Sequence, residues 1–257
     1  MVKPYFALSS PRVFAHRGLA FAPDGSAASP ENTAAAFADA LSVGATYVET
    51  DVHASSDGFA VISHDSSLER VAGIGGHIRN FTLAELEAVD LGGGQGFRSL
   101  SAVLAAFPQT RFNIDIKSED AVQPTVDAIL AADAVSRVLV TSFSEVRRLA
   151  AVRQLPGVAT SAGASRFAVA LVVGKLGLTP LLRWVLRDVD CVQVPTSHLG
   201  VRITTPPMIR RLHRAGVEVH VWTINDAPTM HLLLDLGVDG LVTDRADIAI
   251  DVVRSRI

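Results

Sequence analysis

The chain has 257 residues, 49% hydrophobic and 19% charged, so it can bury a sizeable core and is too apolar to be disordered. Its net charge of −3, with lysines and arginines spread along the chain, gives no electrostatic footprint for nucleic-acid binding. The one cysteine, Cys191, excludes a disulfide framework and, in an apolar run, predicts a buried and inert thiol. Residues 1–11 hold no apolar stretch of signal-peptide length, so the cytoplasm is the expected location.

Short β-branched runs alternate with helical runs rich in alanine and leucine along the whole chain. The runs predict eight strands, over 13–15, 47–53, 112–117, 138–142, 158–162, 191–195, 218–223 and 240–243. Helices are predicted over 32–42, 83–89, 100–106, 121–131, 144–154, 167–186, 206–215, 227–236 and 246–253. Eight strand–helix units predict an α/β fold, a single-domain (β/α)₈ TIM barrel over 1–257, with a small hairpin and insertion at about 54–110.

The segment 167–186 is largely apolar and approaches the length of a membrane span. Lys175 lies in its middle, and Pro180 would break a helix. These features favour a barrel helix. Contact of this segment with a membrane surface or a lipid is the alternative that the sequence leaves open.

Polar residues recur where the predicted strands end. Active sites of such barrels lie at the carboxyl ends of the strands, so these residues are expected to meet in one site. They are His16 and Arg17, Asp51 and His53, Asp115 and Lys117, Thr223 and Asn225, and Thr243 and Asp244. An open doubly wound sheet would more often have a glycine-rich turn where His16-Arg17-Gly18 stands.

Glu49, Asp51 and His53 alternate along one predicted strand and therefore share a face. Two carboxylates on one face suit a hard divalent cation, Mg²⁺ or Ca²⁺, and Asp115 on another strand is a candidate third ligand. For His53 a position in the pocket wall is favoured over a ligand role. Lys117 shares the face of Asp115, where ion pairs alone or a substrate phosphate would satisfy it.

Two histidines and an arginine complete the candidate chemistry. The turn at 55–58 and a return strand at 59–63 fold His64 back toward the predicted metal strand, where it faces His16. Together the two imidazoles provide an acid and a base near neutral pH, although a structural His64 remains open. Arg17 is placed to hold a phosphate bidentately, while Trp222 is either core or a wall of the substrate pocket.

In combination, these motifs resemble the glycerophosphodiester phosphodiesterase family of barrel enzymes. The resemblance covers nearly the whole chain in the family's order. It rests on His16-Arg17-Gly18, Pro30-Glu31-Asn32-Thr33, Glu49-Thr50-Asp51-Val52, Asp57-Gly58 followed by His64-Asp65, Asn113-Ile114-Asp115-Ile116-Lys117, Ser142-Phe143, Val221-Trp222-Thr223-Ile224-Asn225, Gly237-Val238-Asp239-Gly240 and Thr243-Asp244.

The resemblance implies a role for each site residue. His16 and His64 would be the acid–base pair, and Arg17 and Lys117 would hold the phosphate. The implied ligands of a Mg²⁺ or Ca²⁺ ion are Glu49, Asp51 and Asp115. Family members cleave small glycerophosphodiesters to an alcohol and glycerol 3-phosphate. The 2-hydroxyl of the glycerol is thought to attack phosphorus, giving a cyclic phosphate that water opens.

Three features depart from the family's pattern. The third metal carboxylate is usually glutamate and is Asp115 here, one methylene shorter. The loop between Gly18 and Pro30 is longer than usual, and the segment from His64 to Phe112 leaves no room for a large cap domain. A smaller cap leaves a more open mouth, which favours acceptance of bulky alcohol groups. A lysophospholipase D is one alternative, and the apolar segment 167–186 is its only support. The other alternative is a non-catalytic barrel that binds phosphodiesters.

Overall fold

Strands and helices alternate along the part of the chain that the computed structural model describes, residues 3–21, 26 and 28–256. The strands are β1 (Arg12–His16), β2 (Tyr47–Ala54), β3 (Ala60–Ile62), β4 (Arg111–Ile116), β5 (Val138–Thr141), β6 (Ala159–Thr160), β7 (Cys191–Val194), β8 (Ser197–His198), β9 (Val201–Arg202), β10 (Glu218–Val221) and β11 (Gly240–Thr243). The α-helices are α1 (Ala34–Ser42), α2 (Glu69–Ala72), α3 (Leu83–Glu87), α4 (Leu100–Ala106), α5 (Val122–Ala131), α6 (Glu145–Val152), α7 (Ala164–Lys175), α8 (Thr179–Val185), α9 (Pro206–Ala215), α10 (Ala227–Asp235) and α11 (Ala246–Arg254). Short 3₁₀ helices cover Pro4–Phe6, Ile78–Asn80 and Val135–Arg137.

Eight of these strands run parallel in the order β6-β5-β4-β2-β1-β11-β10-β7. The two ends of this order meet through a parallel bridge between Ser161 and Cys191, which closes the sheet into a barrel. Each of the eight predicted strands overlaps one of the eight. The predicted (β/α)₈ barrel is therefore confirmed.

The barrel interior changes from apolar to polar along the strands. At its lower end, Phe14, Tyr47, Leu139 and Cys191 pack in one buried cluster, which the N-terminal residues Tyr5 and Phe6 complete. Cys191 is fully buried, as the sequence predicts. Because side chains alternate along a strand, the residues two positions beyond this cluster also face inward, and there they are polar. These positions are His16, Glu49, Thr141 and Gln193, and all of them line the cavity at the barrel mouth.

The predicted helix over 167–186 is wrong as one element, because the structure divides the segment into α7 and α8. Gly177, with a φ of 77°, ends the first helix, and Pro180 lies in the first turn of the second. A left-handed glycine after a helix and a proline at the start of the next are ordinary signals of a break. In the described part of the chain, no helix is long and apolar enough to cross a membrane.

The segment between β2 and β4 forms a small layer beside the barrel mouth. β3 pairs antiparallel with β2, as the predicted hairpin requires. Val61, Leu68, Ile78, Leu86 and Phe97 form its own buried cluster. Two short elements have no counterpart in the prediction, helix α2 in this segment and the hairpin β8–β9 after the barrel strand β7.

One local boundary near the site differs from the sequence prediction. Helix α1 begins at Ala34 rather than at residue 32, because Thr33 is its N-cap and accepts a hydrogen bond from the N–H of Ala36. Residues 22–25 and 27 of the loop between Gly18 and Pro30, which the sequence marks as long, lie outside the described residues.

Candidate active site

One cavity of about 710 Å³ opens at the carboxyl ends of the barrel strands. It is lined by the eight residues to which the sequence and the family resemblance give a role in catalysis, phosphate or substrate binding, or metal binding: His16, Arg17, Glu49, Asp51, His64, Asp115, Lys117 and Trp222. A second cavity of about 660 Å³ adjoins it and also has His64 and Lys117 in its wall. The barrel thus assembles the predicted set at one edge of the sheet, where its strands end.

His16, the last residue of β1, lies between two carboxylates. Its Nδ1 is 2.6 Å from Oδ1 of Asp244, and its Nε2 is 3.9 Å from Oε2 of Glu49. Asn225 donates from Nδ2 to the other oxygen of Asp244 at 2.7 Å and so fixes this carboxylate. Burial lowers the pKa of His16, but the charge of Glu49 and the hydrogen bond to Asp244 outweigh burial, so this pKa lies above its ordinary value. His16 is therefore disposed to carry a proton near neutral pH.

His64 has a carboxylate partner of its own, the side chain of the next residue. Its Nδ1 is 2.7 Å from Oδ1 of Asp65, and Asp65 is held in turn by Arg70. Nε2 of His53 donates to the carbonyl oxygen of His64 at 3.1 Å. Burial lowers the pKa of His53, which favours the neutral ring that makes this bond. With Nδ1 occupied, Nε2 of His64 is the nitrogen left for a substrate.

Three carboxylates and a lysine lie side by side on β2 and at the end of β4. The register places Asp51 opposite Asp115, and Nζ of Lys117 is 2.7 Å from an oxygen of each. Burial lowers the pKa of Lys117, but the two aspartates raise it well above its ordinary value, so the side chain stays an ammonium. Burial, together with the charge of Asp51, raises the pKa of Glu49 to about 8. Ionisation of Glu49 is therefore disfavoured beside Asp51, and a further cation would favour it.

The predicted metal ligands do not surround a common point. Among the residues that the structure describes, no group of three or more histidine, cysteine or acidic side chains is placed to hold a metal ion. The physical reason is Lys117, whose ammonium bridges Asp51 and Asp115 at the position between them. However, Oδ1 of Asp115 is buried without a hydrogen-bond partner, and Glu49 carries a raised pKa. The oxygen donors thus fit a hard cation, which would compete with Lys117 for them.

Arg17 is fixed by its backbone in the turn after β1. Its φ of 57° is left-handed, and its N–H donates to the carbonyl oxygen of Glu49 at 3.0 Å. The next residue, Gly18, has a φ of 87°, and a Cβ there would lie 2.7 Å from the backbone of Ala36. In the side chain of Arg17, Nη1 donates to Glu31 at 3.0 Å, whereas Nε is buried without a hydrogen-bond partner. Nε lies 3.6 Å from Oδ2 of Asp51, an ion pair too long for a hydrogen bond, so Arg17 has one N–H that makes no hydrogen bond.

Asn32 and Trp222 each make more than one contact at the site. Asn32 accepts a hydrogen bond from Thr50 at 2.8 Å and donates to Asp51 at 3.2 Å, so it supports this carboxylate rather than only starting a helix. Trp222 lines the cavity and packs on the apolar cluster inside the barrel. Its ring meets that of Phe143 edge to face, with centroids 6.1 Å apart.

Asp65 is a residue that sequence reasoning did not assign to the site, and Asp244, which it placed there, was given neither a partner nor a role. Asp244 stands at a strand end in the motif Thr243-Asp244, so its position carried a signal, but its pairing with His16 spans 228 residues. Asp65 directly follows His64, where the dipeptide itself was the signal. In each case the sequence did not show which histidine the carboxylate pairs with. Closure of the barrel brings Asp244 to His16, and the local turn brings Asp65 to the ring of His64.

The residues at the barrel mouth can transfer protons to and from a bound anion, because two oriented imidazoles lie beside cationic side chains. On a (β/α)₈ barrel, that combination suits a hydrolase of phosphoric diesters as the class of protein. Comparison with known proteins agrees. The model of the glycerophosphoryl diester phosphodiesterase family matches residues 16–248, so the chain belongs to this family. The predicted function, a glycerophosphodiester phosphodiesterase, is thereby confirmed.

Individual relatives cover the chain almost completely. The protein named probable glycerophosphodiester phosphodiesterase 2 of Mycobacterium tuberculosis is 42% identical over 228 residues, which span 88% of this chain and 86% of that protein. A glycerophosphodiester phosphodiesterase structure from Agrobacterium tumefaciens has a TM-score of 0.77 at 24% identity, covering 96% of this chain and 100% of that one. A phosphodiesterase from Oleispira antarctica, solved with its product sn-glycerol-3-phosphate, has a TM-score of 0.74 at 24% identity, covering 95% and 97%.

We expect Asp244→Asn to lower kcat by roughly 10–100-fold, less than the loss of an imidazole itself. The amide cannot stabilise a protonated His16 as the carboxylate does, so the pKa of His16 falls and the limb of the pH–rate profile that reports it moves to lower pH. The measurement is kcat against pH for both proteins. Asp251→Asn, at an exposed position of α11, is the matched control. A limb that does not move would show that Asp244 does not set the protonation of His16.

Proposed function

We propose that this chain hydrolyses glycerophosphodiesters to an alcohol and glycerol 3-phosphate, with His16 and His64 as acid and base. The observation that carries the proposal is the pair of imidazoles on one cavity, each fixed by a carboxylate on its Nδ1. Such fixing leaves Nε2 as the nitrogen that exchanges protons with a substrate in both residues. A cytoplasmic location stays a prediction from the sequence.

The two histidines take different roles in the first step. His64 accepts the proton of the glycerol 2-hydroxyl as its oxygen bonds to phosphorus. His16, whose pKa is raised, gives a proton to the alcohol oxygen as the bond from phosphorus to that oxygen breaks. Water then opens the cyclic phosphate, with the two residues exchanging roles. Each imidazole ends the cycle in the state in which it began.

The phosphate is held by the two cations at the mouth. Arg17 lines the cavity, and its Nε makes no hydrogen bond, although it lies 3.6 Å from Asp51. Lys117 remains charged because its aspartates raise its pKa. Cationic side chains beside a phosphate in a partly buried site stabilise the additional negative charge that develops on the phosphoryl group in the transition state. Trp222 forms the adjoining wall, against which the substrate packs.

Members of this family generally depend on a divalent metal. We assign Glu49, Asp51 and Asp115 as the residues that would hold Mg²⁺ or Ca²⁺. They are neighbouring oxygen donors on β2 and β4, Oδ1 of Asp115 has no hydrogen-bond partner, and the pKa of Glu49 is raised in the absence of a further cation. The cation would supply neutralisation of the phosphate oxygens. The protein's own contribution is to place the carboxylates through the β2–β4 register.

A panel of glycerophosphodiesters tests the proposal, with glycerol 3-phosphate as the detected product and with or without a chelator. We expect release of glycerol 3-phosphate from at least one member, dependent on a divalent cation. Binding of the panel without any turnover would instead identify the non-catalytic barrel.

A specific observation favours lysophospholipids as a second substrate class. The side chains that α7 contributes to the cavity are mostly apolar and include Phe167 and Leu171, and Ile203 and Trp222 line the same cavity. A single acyl chain on the alcohol fits such a surface better than a free choline does. Comparing kcat/KM for lysophosphatidylcholine and glycerophosphocholine separates the two classes.

A further inference from the structure

The outer side of helix α7 exposes an apolar stripe beside the cavity mouth. Val169, Val172 and Leu176 are 51%, 60% and 67% exposed, and their spacing places them on one face of the helix. The neighbouring faces of the same helix line the cavity through Phe167 and Leu171. Helix α7 thus lines the cavity on one side and exposes apolar side chains to water on the other, which is unfavourable.

The hairpin β8–β9 continues this surface. Leu199 at its tip is 89% exposed, and Val201 is 42% exposed. Nζ of Lys175, at the end of α7, donates to the carbonyl oxygen of Arg202 at 2.8 Å, so the hairpin adjoins the helix. We name the five residues Val169, Val172, Leu176, Leu199 and Val201 the apolar rim.

Exposed apolar side chains are concentrated in this part of the chain. Of the 16 large hydrophobic side chains exposed in the described residues, eight lie within 161–217, between β6 and β10. Isolated exposed hydrophobic residues are normal, but grouped ones mark a surface that is covered by something.

The same segment is strongly basic, contrary to the expectation of evenly spread lysines and arginines. Residues 161–217 contain eight lysines and arginines and two aspartates, which gives this segment a net charge of +6. Because the whole chain has a net charge of −3, the remaining residues together carry −9. Three of these cations meet where α7 ends, since Lys175 contacts Arg202 and Arg211 donates to the carbonyl oxygen of Gly174 at 2.9 Å. Cations therefore border the apolar rim.

We propose that the apolar rim docks this protein on the surface of an anionic lipid bilayer. Apolar side chains that enter the acyl boundary, with lysine and arginine beside them at the headgroups, are the features of an interfacial protein. A second copy of the chain is disfavoured as the occupant, because it would bring two segments of charge +6 together. Docking there places the cavity mouth at the bilayer, and it does not require the proposed catalysis.

Sedimentation with vesicles tests the proposal on the full chain. We expect binding to vesicles of phosphatidylcholine mixed with phosphatidylglycerol, weakened by salt, and little binding to phosphatidylcholine alone. The triple variant Val172→Ser, Leu176→Ser and Leu199→Ser should lower the partition coefficient roughly tenfold or more, because it removes most of the apolar area that enters the bilayer. Lys175→Gln with Arg202→Gln should lower binding to the anionic vesicles selectively.

The matched control is Val146→Ser with Leu130→Ser, two residues that are 74% and 52% exposed but lie on α6 and α5. The control should bind vesicles like the unaltered protein, and all variants should keep turnover of soluble glycerophosphocholine. If the unaltered protein does not bind anionic vesicles, or if the control loses binding as strongly, the proposal is wrong. Dimerisation that the triple variant abolishes would also overturn it, because a second copy would then cover the rim. Loss of turnover in every protein would instead count against the proposed function alone.

Discussion

Replacing His16 or His64 with alanine is expected to lower kcat by roughly 10²–10⁴-fold, the usual contribution of general acid–base catalysis. Each variant removes one of the two groups that move protons at the mouth, and neither remaining imidazole can serve both ends of the breaking bond. Each should also lose one limb of the pH–rate profile. Initial rates with a soluble glycerophosphodiester across pH provide the measurement.

The matched control for these variants is His231→Ala, a histidine on the outer helix α10 that contacts only Arg256 among its described polar partners. Its kcat should equal that of the unaltered protein. Circular dichroism should show an intact fold in all three variants, because both site histidines lie at a cavity rather than in the core. A His64→Ala enzyme with near-normal turnover would show that this histidine only supports the loop.

The barrel could be predicted because its signals are local. Each strand is a short β-branched run, and β2, buried at all eight positions, alternates residues that face the helices with residues that face the mouth. Glu49 and Asp51 therefore had to share a face. That Asp51 lies opposite Asp115 follows from the parallel register of β2 and β4. Family resemblance added the order of the motifs, which periodicity alone does not give.

Other features depend on contacts that no local pattern contains. The bridge of Lys117 between Asp51 and Asp115 is a matter of side-chain placement, and the sequence left both ion pairs and phosphate binding open for this lysine. The pairing of Asp244 with His16 joins the last barrel strand to the first. The hairpin β8–β9 has two residues in each strand, too few for an alternating pattern to appear.

Removal of divalent cations is expected to abolish turnover, and Mg²⁺ or Ca²⁺ should restore it. The reason lies in the charge of the mouth, since burial and the charge of Asp51 raise the pKa of Glu49 to about 8. One ammonium, on Lys117, does not balance three carboxylates, and a phosphate would add further negative charge. Full activity after exhaustive chelation would contradict the metal assignment of Glu49, Asp51 and Asp115.

Variants of Asp115 test the assignment at the position where the chain departs from its family. Asp115→Asn removes one negative charge from the ligands of a hard cation, so metal affinity should fall by roughly 10–100-fold or more. Mutating a residue that only hydrogen-bonds to a metal ligand already lowers affinity by about this factor. Asp115→Glu distinguishes two arrangements: a site with spare room keeps or gains affinity, whereas a site packed around aspartate loses both affinity and kcat. Metal titration of activity and calorimetric metal binding measure both quantities, with Asp127→Asn on the exposed face of α5 as the control. An Asp115→Asn enzyme with unchanged metal dependence would show that Asp115 is not a ligand, and the buried, unpartnered Oδ1 would then need another explanation.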